Sequence, residues 1–85
     1  MNENQNERIL CAAQAVQLAA RSVLEALASA NNPEGWALGD PTYWAARAAA
    51  EVARSAGDDE TADFTDQLAD EFVTLANSVG HTILR

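Results

Sequence analysis

Apolar residues recur every seven positions through the first third of the chain, and this spacing is the feature that most restricts the fold. Two series share the spacing: Ile9, Val16 and Val23, and, four residues further on, Ala13, Ala20 and Leu27. Positions three, four and seven apart lie on one face of an α-helix. The pattern therefore predicts an amphipathic helix over about residues 6–30, ended by Asn31-Asn32-Pro33. Small side chains flank its apolar seam at Ala12, Ala19 and Ala26.

A second helix is predicted over residues 41–56. Asp40-Pro41 is typical of a helix start, because aspartate caps the first backbone N–H groups and proline is favoured at the first helical position. Gly57 is the predicted stop, since glycine adopts the left-handed conformation that commonly follows a helix. Alanine makes up much of this segment, so its side chains can contribute only a thin core.

Residues 31–40 are predicted to form a loop that folds over one end of the helices, because Trp36 and Leu38 are too apolar for a free linker. Three of the five aromatic residues fall close together, at Trp36, Tyr43 and Trp44. Two interpretations are open for them. They can fill the core where the loop crosses, or Trp36 and Tyr43 can anchor a partner, since tryptophan and tyrosine dominate interface energetics.

A third helix is predicted over residues 59–79, capped by Asp58 or Asp59 and ended by Gly80. Its predicted buried side consists of Phe64, Leu68, Phe72, Leu75 or Ala76, and Val79. The 85 residues form a single domain near the lower size limit for unaided folding. The expected fold is all-α, a small antiparallel three-helix bundle with a long first helix.

The third helix also carries the most pronounced charge pattern. Seven carboxylates and no basic residue occur between Asp58 and Glu71, and the chain contains no lysine. Four of the acids step by four, three and four residues and so form one stripe: Asp59, Asp63, Asp66 and Asp70. Like charges at this spacing repel by a few tenths of a kcal/mol per pair, so helix stability does not explain them. A solvated face and a binding surface for a basic partner are the two interpretations.

Composition excludes several classes of partner. The net charge of −8 argues against direct binding to nucleic acid or to anionic membranes, which need a basic surface. Cys11 is the only cysteine, so an internal disulfide is impossible and a reducing compartment is expected. The polar start lacks the features of a signal peptide, and no apolar run approaches the roughly 20 residues of a membrane span. The expected location is cytoplasmic.

No arrangement typical of catalysis or metal binding occurs. His81 is the only histidine, and it lies far along the chain from Cys11. The serines are not in a nucleophile-elbow context, and the carboxylates lack the order of an EF-hand loop. The sequence therefore predicts no enzyme activity, no cofactor and no metal site.

These features predict a small acidic inhibitor or regulator that occupies a basic, nucleic-acid-binding surface of a partner protein. The predicted contacts are Asp59, Asp63, Asp66, Asp70 and Glu71 as charge partners, with Trp36 and Tyr43 as apolar anchors. Anti-CRISPR proteins and other nucleic-acid mimics are analogous in size and charge. One alternative is an immunity protein or antitoxin for one cognate toxin. Another is a homo-oligomeric structural or assembly protein that pairs through its first helix, beside an exposed Leu18.

Overall fold

The computed structural model describes residues 3–30 and 33–83, and these are helical almost throughout. Helix α1 spans Glu3–Ala30, a 3-10 turn covers Pro33–Gly35, α2 spans Trp36–Ser55 and α3 spans Asp59–Ser78. No strand occurs in the described ranges, so the predicted all-α fold is confirmed. The predicted stop of the first helix at Asn31-Asn32 lies outside the described residues.

Helix α2 packs against both other helices, whereas α1 and α3 touch each other less extensively. One buried cluster is almost pure alanine and consists of Ala13, Ala49, Ala53 and Ala62, with Leu10 and Val16 against it. The other cluster contains the large side chains, among them Leu27, Trp36, Tyr43, Leu68, Phe72 and Ile83. The core is therefore thick at one end of the bundle and thin at the other.

The seam of α1 is buried along one of its two series and half-buried along the other. Ala13, Ala20 and Leu27 are buried, while the Ile9, Val16 and Val23 series is half-buried at the edge of the seam. Over Gln5–Ala30 the helix has the length and mean hydropathy of a membrane span. The prediction that no apolar run approaches a membrane span is therefore wrong on length and composition, because alanine raises mean hydropathy while adding little apolar area. Signal sequences and the core helices of soluble proteins pass the same test, but such core helices are mostly buried, whereas 11% of the most apolar window is buried here.

Helix α2 begins at Trp36 and not at Pro41, so the predicted start at Asp40-Pro41 is wrong. Pro41 is the sixth residue of the helix, so the hydrogen bond that a backbone N–H at this position would donate to the Ala37 carbonyl is missing from the second turn. Trp36 is only 4% exposed, and its ring meets the Phe72 ring edge-on with centroids 6.4 Å apart. Burial of this large ring, favourable by about 2–3 kcal/mol, outweighs the local signal of the proline.

Asp40 binds the C-terminal segment instead of capping a helix. Its Oδ1 lies 2.7 Å from His81 Nε2, and the His81 ring stacks on Trp36 at 4.8 Å between centroids. Ile83 follows and is buried. These contacts hold residues 81–83, which follow α3, against the start of α2.

Two glycines end helices as predicted. Gly57 and Gly80 both have positive φ, at 87° and 75°. After α2, the Gly57 N–H donates to the Arg54 carbonyl and the Asp58 N–H donates to the Ala53 carbonyl, at 3.0 and 2.9 Å. These two bonds form a Schellman motif, which satisfies carbonyls at the helix end and needs the left-handed residue. The turn between α2 and α3 is short for this reason.

The buried face of α3 matches the predicted one in part: Leu68, Phe72 and Ala76 are buried as predicted. Its buried residues are Ala62, Thr65, Leu68, Ala69, Phe72 and Ala76. Phe64 and Val79 are 52% and 41% exposed, so the prediction that they are buried is wrong. The buried residues follow three- and four-residue steps that leave Phe64 outside the buried face, turned about 100° from its buried neighbour Thr65. The buried Thr65 hydroxyl donates to the Thr61 carbonyl at 2.7 Å.

Gly39→Ala should lower the free energy of unfolding by about 1–3 kcal/mol through overpacking. A methyl group there would collide with the Trp36 indole and lie 3.0 Å from Leu27 Cδ1. Helix propensity alone predicts the opposite, an increase of about 1 kcal/mol in the free energy of unfolding. Urea denaturation followed by tryptophan fluorescence measures the change, and a stabilised variant would contradict the packing of Trp36 described above.

Asp58→Ala should lower the melting temperature at neutral pH, because the Asp58 carboxylate caps α3. It accepts hydrogen bonds from the Thr61 hydroxyl and N–H, at 2.6 and 3.0 Å, and these lower the pKa of Asp58. A folded-state pKa below the unfolded one stabilises the fold above the unfolded pKa of about 3.9. That contribution is lost as the pH falls through the folded pKa.

Thermal unfolding of both proteins at several pH values checks this. The difference between them should shrink below about pH 4. Asp59→Ala is the matched control, since Asp59 is an exposed acid in the same first turn and does not cap the helix. An Asp58→Ala effect that is absent at neutral pH, or no larger than that of Asp59→Ala, would contradict the capping role.

Candidate acidic binding surface

Helix α3 carries its carboxylates on the side away from the core. Six lie within the helix: Asp59, Glu60, Asp63, Asp66, Asp70 and Glu71. The helix contains no basic residue. We use the name acidic surface for Asp59, Asp63, Asp66, Asp70 and Glu71. Asp66 is half-buried and the other four are exposed.

Asp66 is held by two arginines of α2. Arg47 Nη1 lies 3.0 Å from its Oδ1 and Arg54 Nη2 lies 2.8 Å from its Oδ2. The hydrogen bond to Asp66 raises the pKa of Arg54 further, so the Arg54 guanidinium stays charged at any physiological pH. Both Asp66 oxygens are therefore engaged in joining α2 to α3. The sequence predicted that the fold does not favour the acids of the stripe. This prediction is wrong for Asp66, because its ion pairs join two helices.

The other four acids of the acidic surface take much less part in ion pairs. Asp63 is 75% exposed at its side chain and reaches Arg54 only at 3.9 Å. Asp59, Asp70 and Glu71 are exposed and form no ion pair with any side chain in residues 3–30 or 33–83. The acidic surface thus presents four carboxylates to solvent at neutral pH. One helical turn separates neighbours along the stripe, about 5–6 Å.

The two predicted aromatic anchors lie in the core. Trp36 and Tyr43 are 4% and 6% exposed, which matches the core interpretation of these residues and keeps them from a partner's reach. Phe64 is the aromatic residue that α3 exposes, and it lies seven residues before Glu71, on the same side of the helix. The sequence analysis missed it by taking the bulkiest residues as buried. The three- and four-residue steps from Ala62 to Ala76 were the signal that could have revealed it.

The acids of α3 are not arranged as a metal site. Within the described ranges, no group of three or more His, Cys, Asp or Glu side chains is arranged to hold a metal ion. The carboxylates are spread along the helix and do not converge on a point. An extended, repeating row of charge favours contact with an extended charged surface over chelation of an ion.

No protein-family model, curated protein or solved structure matches the chain. Function is therefore inferred from the residues and their geometry alone.

Asp66→Asn and Asp70→Asn should affect stability differently, although each removes one charge from the same helix. Asp66→Asn should lower the free energy of unfolding by up to about 1 kcal/mol, the usual range for partly exposed ion pairs. Asp70→Asn should leave it within about 0.5 kcal/mol of the wild type. Urea denaturation at low salt measures both, and equal effects would contradict the assignment of Asp66 to the fold.

Proposed function

We propose that the protein is a binding regulator or inhibitor whose acidic surface occupies a basic surface on a partner protein. One observation carries this proposal: α3 exposes Asp59, Asp63, Asp70 and Glu71, while the two arginines beside them are directed at Asp66. Arg47 is thus committed to Asp66, whereas Arg54 also contacts Glu51 at 3.3 Å and Asp63 at 3.9 Å. Asp59, Asp70 and Glu71 form no ion pair among the described residues and are left for ligands outside the chain.

The partner's surface should be one that binds nucleic acid. Carboxylates one helical turn apart repeat at about 5–6 Å, a spacing comparable to that of successive phosphates along a strand. Arginine and lysine side chains that bind phosphates can bind such a row of carboxylates in the same way. The protein would then act by competition, as the analogous anti-CRISPR and DNA-mimic antagonists do.

Phe64 supplies the apolar contact that Trp36 and Tyr43 cannot make from the core. It is 52% exposed and lies on the acidic helix beside Asp63. Charges set the rate of association and the choice of partner, whereas a buried aromatic side chain mainly slows dissociation. Phe64 and the four exposed carboxylates therefore form the proposed contact set.

The antiparallel order of the three helices belongs to the same proposal. Ala13 from the first part of α1, Ala53 from the end of α2 and Ala62 from the start of α3 share one buried cluster. Leu27 from the end of α1 shares the other cluster with the start of α2 and the end of α3. Each helix thus has its start beside the end of the next helix, which supports an up-down-up bundle in which α1 and α3 both pack on α2.

Capture from nuclease-treated host lysate, followed by mass spectrometry, tests the function. The wild-type bait should retain a basic, nucleic-acid-handling protein that is released by high salt and by added duplex DNA. The double variant Asp70→Asn/Glu71→Gln should lose most of it, at least about tenfold, because two charge contacts are removed.

The matched control is Glu7→Gln/Glu25→Gln, which removes the same charge from exposed positions on α1. It should capture the partner as the wild type does. Equal loss with both variants would mean that net charge and not the acidic surface drives binding. A partner that DNA fails to displace would contradict the nucleic-acid-binding site and favour a single cognate toxin.

A further inference from the structure

An open apolar groove lies between α1 and α2. Its volume is about 430 Å³, and it is lined by Ile9, Ala12, Val16, Ala45, Ala48 and Val52, with no residue from α3. None of these side chains is charged. The groove also borders the thin end of the core, because Ala13 and Ala49 of the alanine cluster form its floor.

The groove is part of a longer uncharged face, which we call the α1–α2 face. On α1 it follows the steps Ile9, Ala12, Val16, Ala19, Val23 and Ala26, and on α2 the steps Leu38, Pro41, Ala45, Ala48 and Val52. Each step is three or four residues, the repeat by which helices pack against further helices. Leu38 and Val52 are 58% and 41% exposed. In α1 only 11% of the most apolar window is buried.

We infer that the α1–α2 face binds the same face of a second copy of this chain. A chain of net charge −8 repels its own copy wherever carboxylates face each other, and none of the residues of this face is a carboxylate. Glu51 lies at its edge, where it lines a pocket with Ile9 and Val52, and it accepts a hydrogen bond from Arg54. A basic partner would find no carboxylate to bind there. Under a two-fold axis, two identical pairs of apolar stripes meet each other and complete a four-helix arrangement.

The available area fits a stable dimer. The molecule measures 44 × 18 × 17 Å, so one long side has a projected area of about 800 Å². A side-by-side dimer that used this side would therefore reach the scale of a specific interface, to which each partner commonly contributes about 800 Å². Pairing would cover apolar surface next to the thinnest part of the core.

This dimer does not depend on the proposed function, although it would extend it. The α1–α2 face contains no residue of the acidic surface, so each dimer would carry two acidic surfaces. Two linked sites raise the apparent affinity for a partner that offers two basic surfaces. Capture of a partner by a monomer, or dimerisation without a partner, would separate the two proposals.

Sedimentation of the full chain from about 1 to about 100 µM, with reductant to prevent a Cys11 disulfide, tests the inference. The expected mass is twice the 9.0 kDa of one chain. It should persist in high salt, because apolar contacts are not screened while the repulsion between copies is. A monomer throughout this range, or a dimer dissolved by salt, would overturn the inference. So would a monomer that floats with uncharged phosphatidylcholine vesicles, since the face would then belong to lipid.

Ala48→Glu places a charge in the middle of the groove and should raise the dimer dissociation constant on the order of 100-fold, because the charge would be buried without a partner. Ala12→Glu tests the same groove from α1 if the first variant is less helical by circular dichroism. Gln14→Glu is the control, as it adds the same charge at an exposed position outside both stripes. A dimer that survives both groove variants, or is lost in the control, overturns the assignment of the face.

Discussion

Contact between alanine methyl groups on α2 and its two neighbours is the constraint on which the rest of the structure depends. Ala46, Ala50 and Ala53 are completely buried, and Ala49 and Ala53 share a cluster with Ala13 of α1 and Ala62 of α3. Small side chains allow close approach of the helices but contribute little apolar area each. Stability must therefore come from the few large side chains, which gather at the Trp36 end. The opposite end remains thin and open.

This packing also determines which charges the fold can use. Close approach of α2 and α3 brings Arg47 and Arg54 within reach of Asp66, whose two oxygens join the helices. The other acids of α3 lie further round the helix or further along it. Their mutual repulsion is a small cost that the fold tolerates, and the four exposed carboxylates are available to a partner. Two faces of opposite character result, one acidic and one uncharged.

Local signals were predictable from the sequence, and signals that depend on tertiary packing were not. The seam of α1 and the stops at Gly57 and Gly80 arise within a few residues of chain, so periodicity and turn chemistry identify them. The start of α2 could not be predicted from Asp40-Pro41, because burial of Trp36 depends on Phe72 of another helix. The acidic row follows from spacing alone. The engagement of Asp66 does not, because its arginines lie in a different helix.

The exposed carboxylates of α3 should not be needed for folding. The triple variant Asp63→Asn, Asp70→Asn and Glu71→Gln, with Asp66 kept, tests it by thermal unfolding at low and high salt. The predicted result is a variant at least as stable as the wild type at low salt, with the two converging at high salt as the repulsion is screened. A variant that is clearly less stable at low salt would contradict the claim, since these acids would then be part of the fold and not of a binding surface.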